Sequence, residues 1–72
     1  MKTLKDIRTE VGLTQTELAK AMGLSQQSYS LTELGKRKMV YAQEYDGLCN
    51  SFNARGISDE VVAEAYKATI KM

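Results

Sequence analysis

Apolar residues recur at helical spacing in five short stretches, and most stretches are bounded by residues that start or stop a helix. Leu4, Ile7 and Val11 fall at i, i+3 and i+7, one face of a helix. Thr3 stands before them as an N-cap, with Asp6 three residues on, and Gly12 can end the helix in a left-handed conformation. Thr14-x-x-Glu17 is a capping box, and Leu13 with Leu18 forms the hydrophobic staple around it. Leu18, Ala19 and Met22 supply the buried face of this second helix before Gly23 stops it. Ser25 caps a third helix over Gln26 to Leu34, which Gly35 terminates.

Beyond Gly35-Lys36-Arg37-Lys38, which reads as a loop, a fourth helix is expected from about Val40 to Asn53. Tyr41, Tyr45, Leu48 and Phe52 would lie on one of its faces, and Gly47 would weaken it by about 1 kcal/mol relative to alanine. Ser58 caps a fifth helix over roughly residues 59–70, with Val62, Ala65, Tyr66 and Thr69 as its stripe. No stretch alternates with period two, so the pattern predicts an all-α domain of five short helices without a sheet.

A chain of 72 residues fits one domain with a small core, to which a second protomer would add buried apolar surface. The apolar residues of the C-terminal part (Phe52, Ile57, Val61, Val62, Tyr66, Ile70 and Met72) serve either a symmetric interface or the monomer's own core. Cys49 is the only cysteine, and the start MKTLKDIRTE has no apolar leader run, which together predict a cytoplasmic protein. Net charge is only +1, but its distribution is uneven. Residues 1–38 hold seven basic against four acidic side chains, and residues 39–72 hold three against five. A polyanion should therefore meet the first half. With no histidine, one cysteine, no glycine-rich phosphate loop and no metal-ligand spacing, an enzyme is not expected, and no cofactor or metal is implied.

Two short helices joined by only Gly23-Leu24-Ser25 form the core of a DNA-binding supersecondary motif, at about residues 15–34. Leu13-Thr14-Gln15, Glu17-Leu18-Ala19, Gly23, Ser25-Gln26, Glu33 and Gly35-Lys36-Arg37 together resemble the Cro/C1-type (XRE) helix-turn-helix family. The run Gln26-Gln27-Ser28 is similar to lambdoid phage repressors. The resemblance covers about a third of the chain strongly, and Leu4–Val11 less strongly. It implies a compact five-helix fold like that of lambda-type repressors. It also implies a transcription regulator that binds a palindromic operator in double-stranded DNA as a homodimer. Arg8 and Glu33 are, by the same resemblance, a structural ion pair. Thr32 and Leu34 depart from the family's usual residues; the Thr32 hydroxyl can bond back to the Ser28 carbonyl.

On a helical wheel Gln26, Gln27, Ser30, Leu31 and Leu34 share one broad arc of the third helix, while Ser28, Tyr29 and Thr32 lie opposite. The first arc is the one a recognition helix offers to the major groove, and base contacts concentrate near its N-terminal end. The candidate base readers are Gln26, Gln27, Ser30 and Leu31. A glutamine amide can bond N6 and N7 of adenine in one plane, and either Gln26 or Gln27 can be the main reader. Leu31 either packs on a thymine methyl or covers the fourth helix or a partner chain. The candidate phosphate contacts are Thr14, Gln15, Ser28, Lys36, Arg37 and Lys38. The rival reading is a protein-interaction module of the antirepressor or antitoxin kind, binding a partner through the C-terminal helices. An exposed Leu31 and Leu34 would favour it.

Overall fold

Local capping fixes where most of the helices begin. The computed structural model describes residues 1–71 and contains α1 (Leu4–Val11), α2 (Gln15–Met22), α3 (Gln26–Glu33), α4 (Ala42–Asn53) and α5 (Asp59–Ile70). Among the described residues there is no strand, so the fold is all-α, as the periodicity predicts. The Thr3 hydroxyl accepts from the Asp6 N–H at 3.4 Å while the Asp6 carboxylate accepts from the Thr3 N–H at 2.9 Å. Thr14 and Glu17 repeat the exchange at 3.1 and 3.0 Å. Each pair satisfies two backbone donors that a helix start otherwise leaves unpaired. Ser25 and Ser58 cap α3 and α5 with their hydroxyls.

Gly23 shows how the helices end. Its φ of 74° is left-handed, a conformation that a Cβ penalises. Its N–H turns back to the Lys20 carbonyl at 3.2 Å and the Leu24 N–H to the Ala19 carbonyl at 2.8 Å, a Schellman motif. The same motif closes α1, α3 and α4 at Gly12, Gly35 and Gly56.

The core gathers around α2, which packs on α3 and α4, while α5 packs on α1 and α4. Leu4, Ile7, Leu18, Met22, Tyr29, Leu48, Phe52 and Val62 are its large, fully buried apolar side chains. Polar side chains tie the elements where the chain doubles back. The Thr69 hydroxyl accepts from the Leu4 N–H at 2.9 Å, joining α5 to the start of α1. The Tyr66 hydroxyl accepts from the Met39 N–H at 2.9 Å and holds down the loop between α3 and α4. No helix among the described residues is long and apolar enough to cross a membrane.

The fourth helix differs from the expectation. It begins at Ala42 rather than Val40, and Val40 and Tyr41 are exposed outside it. Tyr41 is therefore the N-cap and not part of the buried stripe. Glu44 takes that place on the stripe, and its carboxylate accepts from the Tyr41 N–H at 3.3 Å, stopping the helix there. Gly47 is more than a weak point in α4. A Cβ at this position would run into the Ala21 carbonyl, so glycine is what lets α4 cross close to α2.

The apolar residues of the C-terminal part divide unevenly. Phe52 and Val62 are fully buried in the chain's own core, and Ile57 and Tyr66 pack against it. Val61 stays exposed and Ile70 half-buried. Met72 lies outside the described residues.

Candidate nucleic-acid interface

The turn Gly23-Leu24-Ser25 sets α3 against α2, and α3 then has two distinct faces. Inward, Tyr29, Thr32 and Glu33 are buried. The Thr32 hydroxyl donates to the Ser28 carbonyl at 3.1 Å, which satisfies it inside the helix. Outward, Gln26 and Gln27 are exposed at the N-terminal end, followed by a half-buried Ser30 and by Leu31 and Leu34, 44% and 56% exposed. Ser28 lies between the faces, half-buried, its hydroxyl 3.1 Å from that of Ser25.

The inner face is clamped by charge. Arg8 of α1 donates to Glu33 through Nε at 2.8 Å and Nη2 at 3.0 Å. Its Nη1 donates to the Leu13 carbonyl at 3.0 Å. One planar guanidinium thus joins α1, the turn before α2 and the end of α3. The Gln15 amide adds a third donor to Glu33 at 3.2 Å. Burial pushes the Glu33 carboxyl up, but the hydrogen bonds from its neighbours, Arg8 first, outweigh it and hold the group below the usual carboxylate range. The Tyr29 hydroxyl is enclosed without a well-placed hydrogen-bond partner. Burial, and then the Glu33 carboxylate, raise its pKa far above that of an ordinary phenol.

The two glutamines are placed differently. The Gln26 carbonyl oxygen accepts from the Thr16 hydroxyl at 3.3 Å, linking the starts of α2 and α3. Gln27 has no side-chain hydrogen bond among the described residues and is open to solvent. Thr14 and Gln15 stand at the N-terminus of α2, where free N–H groups and the positive end of the helix dipole favour an anion. Gln15 is half-buried on Glu33, and its amide nitrogen carries a second hydrogen.

The basic cluster after α3 is not uniform. Lys36 and Lys38 are exposed. Arg37 turns back, with Nη1 2.7 Å from the Glu44 carboxylate and 3.2 Å from the Thr32 hydroxyl. It bolts α3 to α4, which differs from the outward placement expected of a phosphate contact. Glu44 is buried, and the Arg37 guanidinium holds its carboxyl below the usual carboxylate range. Sequence reasoning missed this pair. The available signal was Glu44 itself: it stands four residues before Leu48 and eight before Phe52, so an acid lies on an apolar stripe and needs a cation.

Residues 4–38 match the model of a helix-turn-helix family. These residues span α1 to the basic loop and include both arms of the Arg8–Glu33 clamp. This segment, just under half of the chain, matches a helix-turn-helix of the Cro/C1-type (XRE) kind, the DNA-binding unit of a family of regulators. No curated protein and no solved structure matches the chain.

Proposed function

We propose that the protein is a Cro-like repressor that reads a palindromic operator in double-stranded DNA as a dimer, with α3 in the major groove. The observation that carries this reading is the division of α3. Its inner face is fixed by Arg8, Glu33 and buried Tyr29, while its N-terminal outer face presents Gln26 and Gln27 to solvent. A rigid helix with exposed amides at that end, Gln27 free and Gln26 held only by the Thr16 hydroxyl, suits base reading, because one bidentate amide–adenine pair discriminates by about 1–3 kcal/mol. Ser30 and Leu31 extend the reading surface, Leu31 by contact with a thymine methyl.

Thr14, Gln15, Ser28, Lys36 and Lys38 bind phosphates on either side of the groove and set the register. Arg37 acts from behind, through Glu44. The Cα body measures 24 × 24 × 21 Å, a width that allows two copies on half-sites about 34–36 Å apart. Repression follows from occupying an operator that overlaps a promoter, in the cytoplasm of a bacterial host.

A second reading, a protein-interaction module, draws on the exposure of Leu31, Leu34, Val40 and Tyr41. Selection from a pool of random duplexes, with sequencing of the bound fraction, separates the two. The repressor reading expects an inverted repeat with A·T pairs at matching half-site positions. Binding without sequence preference would leave the motif as a scaffold and favour a protein partner.

A further inference from the structure

The Thr16 hydroxyl is engaged differently from those of the other threonines within the helices. Thr9, Thr32 and Thr69 each donate to the carbonyl four residues back, at 2.7, 3.1 and 2.8 Å. Thr16 is the second residue of α2, and four residues before it stands Gly12, in the turn outside α1 and α2. Its hydroxyl crosses instead to the first residue of α3 and donates to the Gln26 carbonyl oxygen, Oε1, at 3.3 Å. Both residues are exposed, so the bond lies on the surface that the starts of α2 and α3 share.

The neighbouring polar groups are engaged elsewhere. The Gln15 amide donates to Glu33 at 3.2 Å, the Thr14 hydroxyl to Glu17 at 3.0 Å, and the Ser25 hydroxyl to that of Ser28 at 3.1 Å. Of the two amides at the start of α3, only that of Gln26 is therefore held in one direction among the described residues.

That direction has a chemical consequence. In a planar amide the oxygen and the nitrogen point apart, the oxygen an acceptor and the nitrogen a donor of two hydrogens. Holding Oε1 toward α2 turns Nε2 away from it, with both hydrogens unpartnered among the described residues. In the major groove guanine offers two acceptors, N7 and O6, thymine offers one, cytosine a donor, and adenine an acceptor beside a donor. An amide that leads with its nitrogen matches guanine, and on adenine it sets one N–H against another.

We propose that Thr16 is a specificity-determining residue: it keeps the Gln26 nitrogen outward, so that Gln26 reads guanine and the free Gln27 amide reads adenine. This deepens the repressor reading and rests on it. The A·T pair of each half-site then falls to Gln27. Exclusion of water from the groove strengthens the Thr16–Gln26 bond at the moment of reading.

Anisotropy titrations with base-pair replacements in the selected duplex test the assignment. The pair that Gln26 reads is the one at which Gln26→Ala loses its preference. There the wild type should favour G·C over A·T about tenfold or more. Thr16→Val keeps the branched shape and removes the hydroxyl. It should bring the two pairs within about twofold, because the released amide can turn its oxygen to adenine, while affinity for a scrambled duplex stays unchanged. Thr16→Ser, which keeps the hydroxyl, should retain the preference, and circular dichroism reports the folding of each variant. Nuclear relaxation of the side-chain amides without DNA gives a second readout: Gln26 should be more ordered than Gln27 in wild type and Thr16→Ser, and equally mobile in Thr16→Val. A wild type that prefers A·T at that pair, or a Thr16→Val chain that keeps the preference for G·C, would overturn the assignment. So would a Thr16→Val chain weakened on all duplexes alike, which marks a phosphate contact. A wild type with no duplex preference would overturn the repressor reading as well; a Gln26 amide as mobile as Gln27, in a chain that still selects its operator, would overturn the role of Thr16 alone.

Discussion

Arg8 and Glu33 stand 25 residues apart in sequence and meet through two parallel hydrogen bonds of 2.8 and 3.0 Å, with the carboxylate buried. This contact makes α3 part of a rigid body with α1, so the exposed face of α3 inherits the stability of the core. Removing one partner of a buried pair leaves the other charge uncompensated. Arg8→Ala should therefore cost about 3 kcal/mol in urea unfolding, the low end for such pairs because Arg8 is partly exposed. A cost below the range of surface pairs would show that the clamp is dispensable.

The same carboxylate, with Glu44, makes stability depend on acid. Both groups titrate in the folded chain below the ordinary glutamate value of 4.5. The unfolded chain therefore binds their protons first, and stability should be fully present above that value and fall as pH drops through it toward the folded values. Urea midpoints measured from neutral to acid pH check this. Glu44→Gln should flatten part of the slope, and an unchanged slope in that variant would count against the Arg37 pair as its source.

Gly47→Ala opposes two effects. Alanine favours an isolated helix by about 1 kcal/mol. Here its Cβ would meet the Ala21 backbone carbonyl, which α2 cannot move cheaply. Overpacking of this sort costs about 1–3 kcal/mol, so the net change should be a lower melting temperature. A raised melting temperature would mean that α4 can slide away from α2.

The basic loop should split by function. Lys36→Ala and Lys38→Ala should each weaken binding to all duplexes alike and reduce the slope of log K against log salt by about 0.9. Arg37→Ala should act mainly on folding, because it strands the buried Glu44 carboxylate. An equal loss of stability in all three would remove the distinction.

What the sequence revealed follows from range. The capping pairs Thr3–Asp6 and Thr14–Glu17 and the glycine stops at 12, 23 and 35 act over a few residues, so they are visible in the chain itself. The fold class follows from them and from the apolar spacing. The features that were not legible depend on elements far apart in sequence. Gly47 reads as a defect until α2 is seen against it. Tyr41 reads as core by spacing, yet the Glu44 carboxylate accepts from its N–H and α4 starts after it. Thr69 reads as one more stripe residue, and its bond to the Leu4 N–H depends on α5 returning to α1. On α3 the wheel separates Tyr29 and Thr32 from the glutamines, but it does not show Thr16 holding Gln26.

The central claim is that the exposed amides of α3 read bases. Anisotropy titration of wild type and of Gln26→Ala/Gln27→Ala against the selected duplex and a scrambled one tests it most directly. The account predicts that the variant loses about tenfold or more on the selected duplex, keeps its affinity for the scrambled one, and has an unchanged salt slope. A variant that still prefers the selected duplex by the wild-type factor would contradict it.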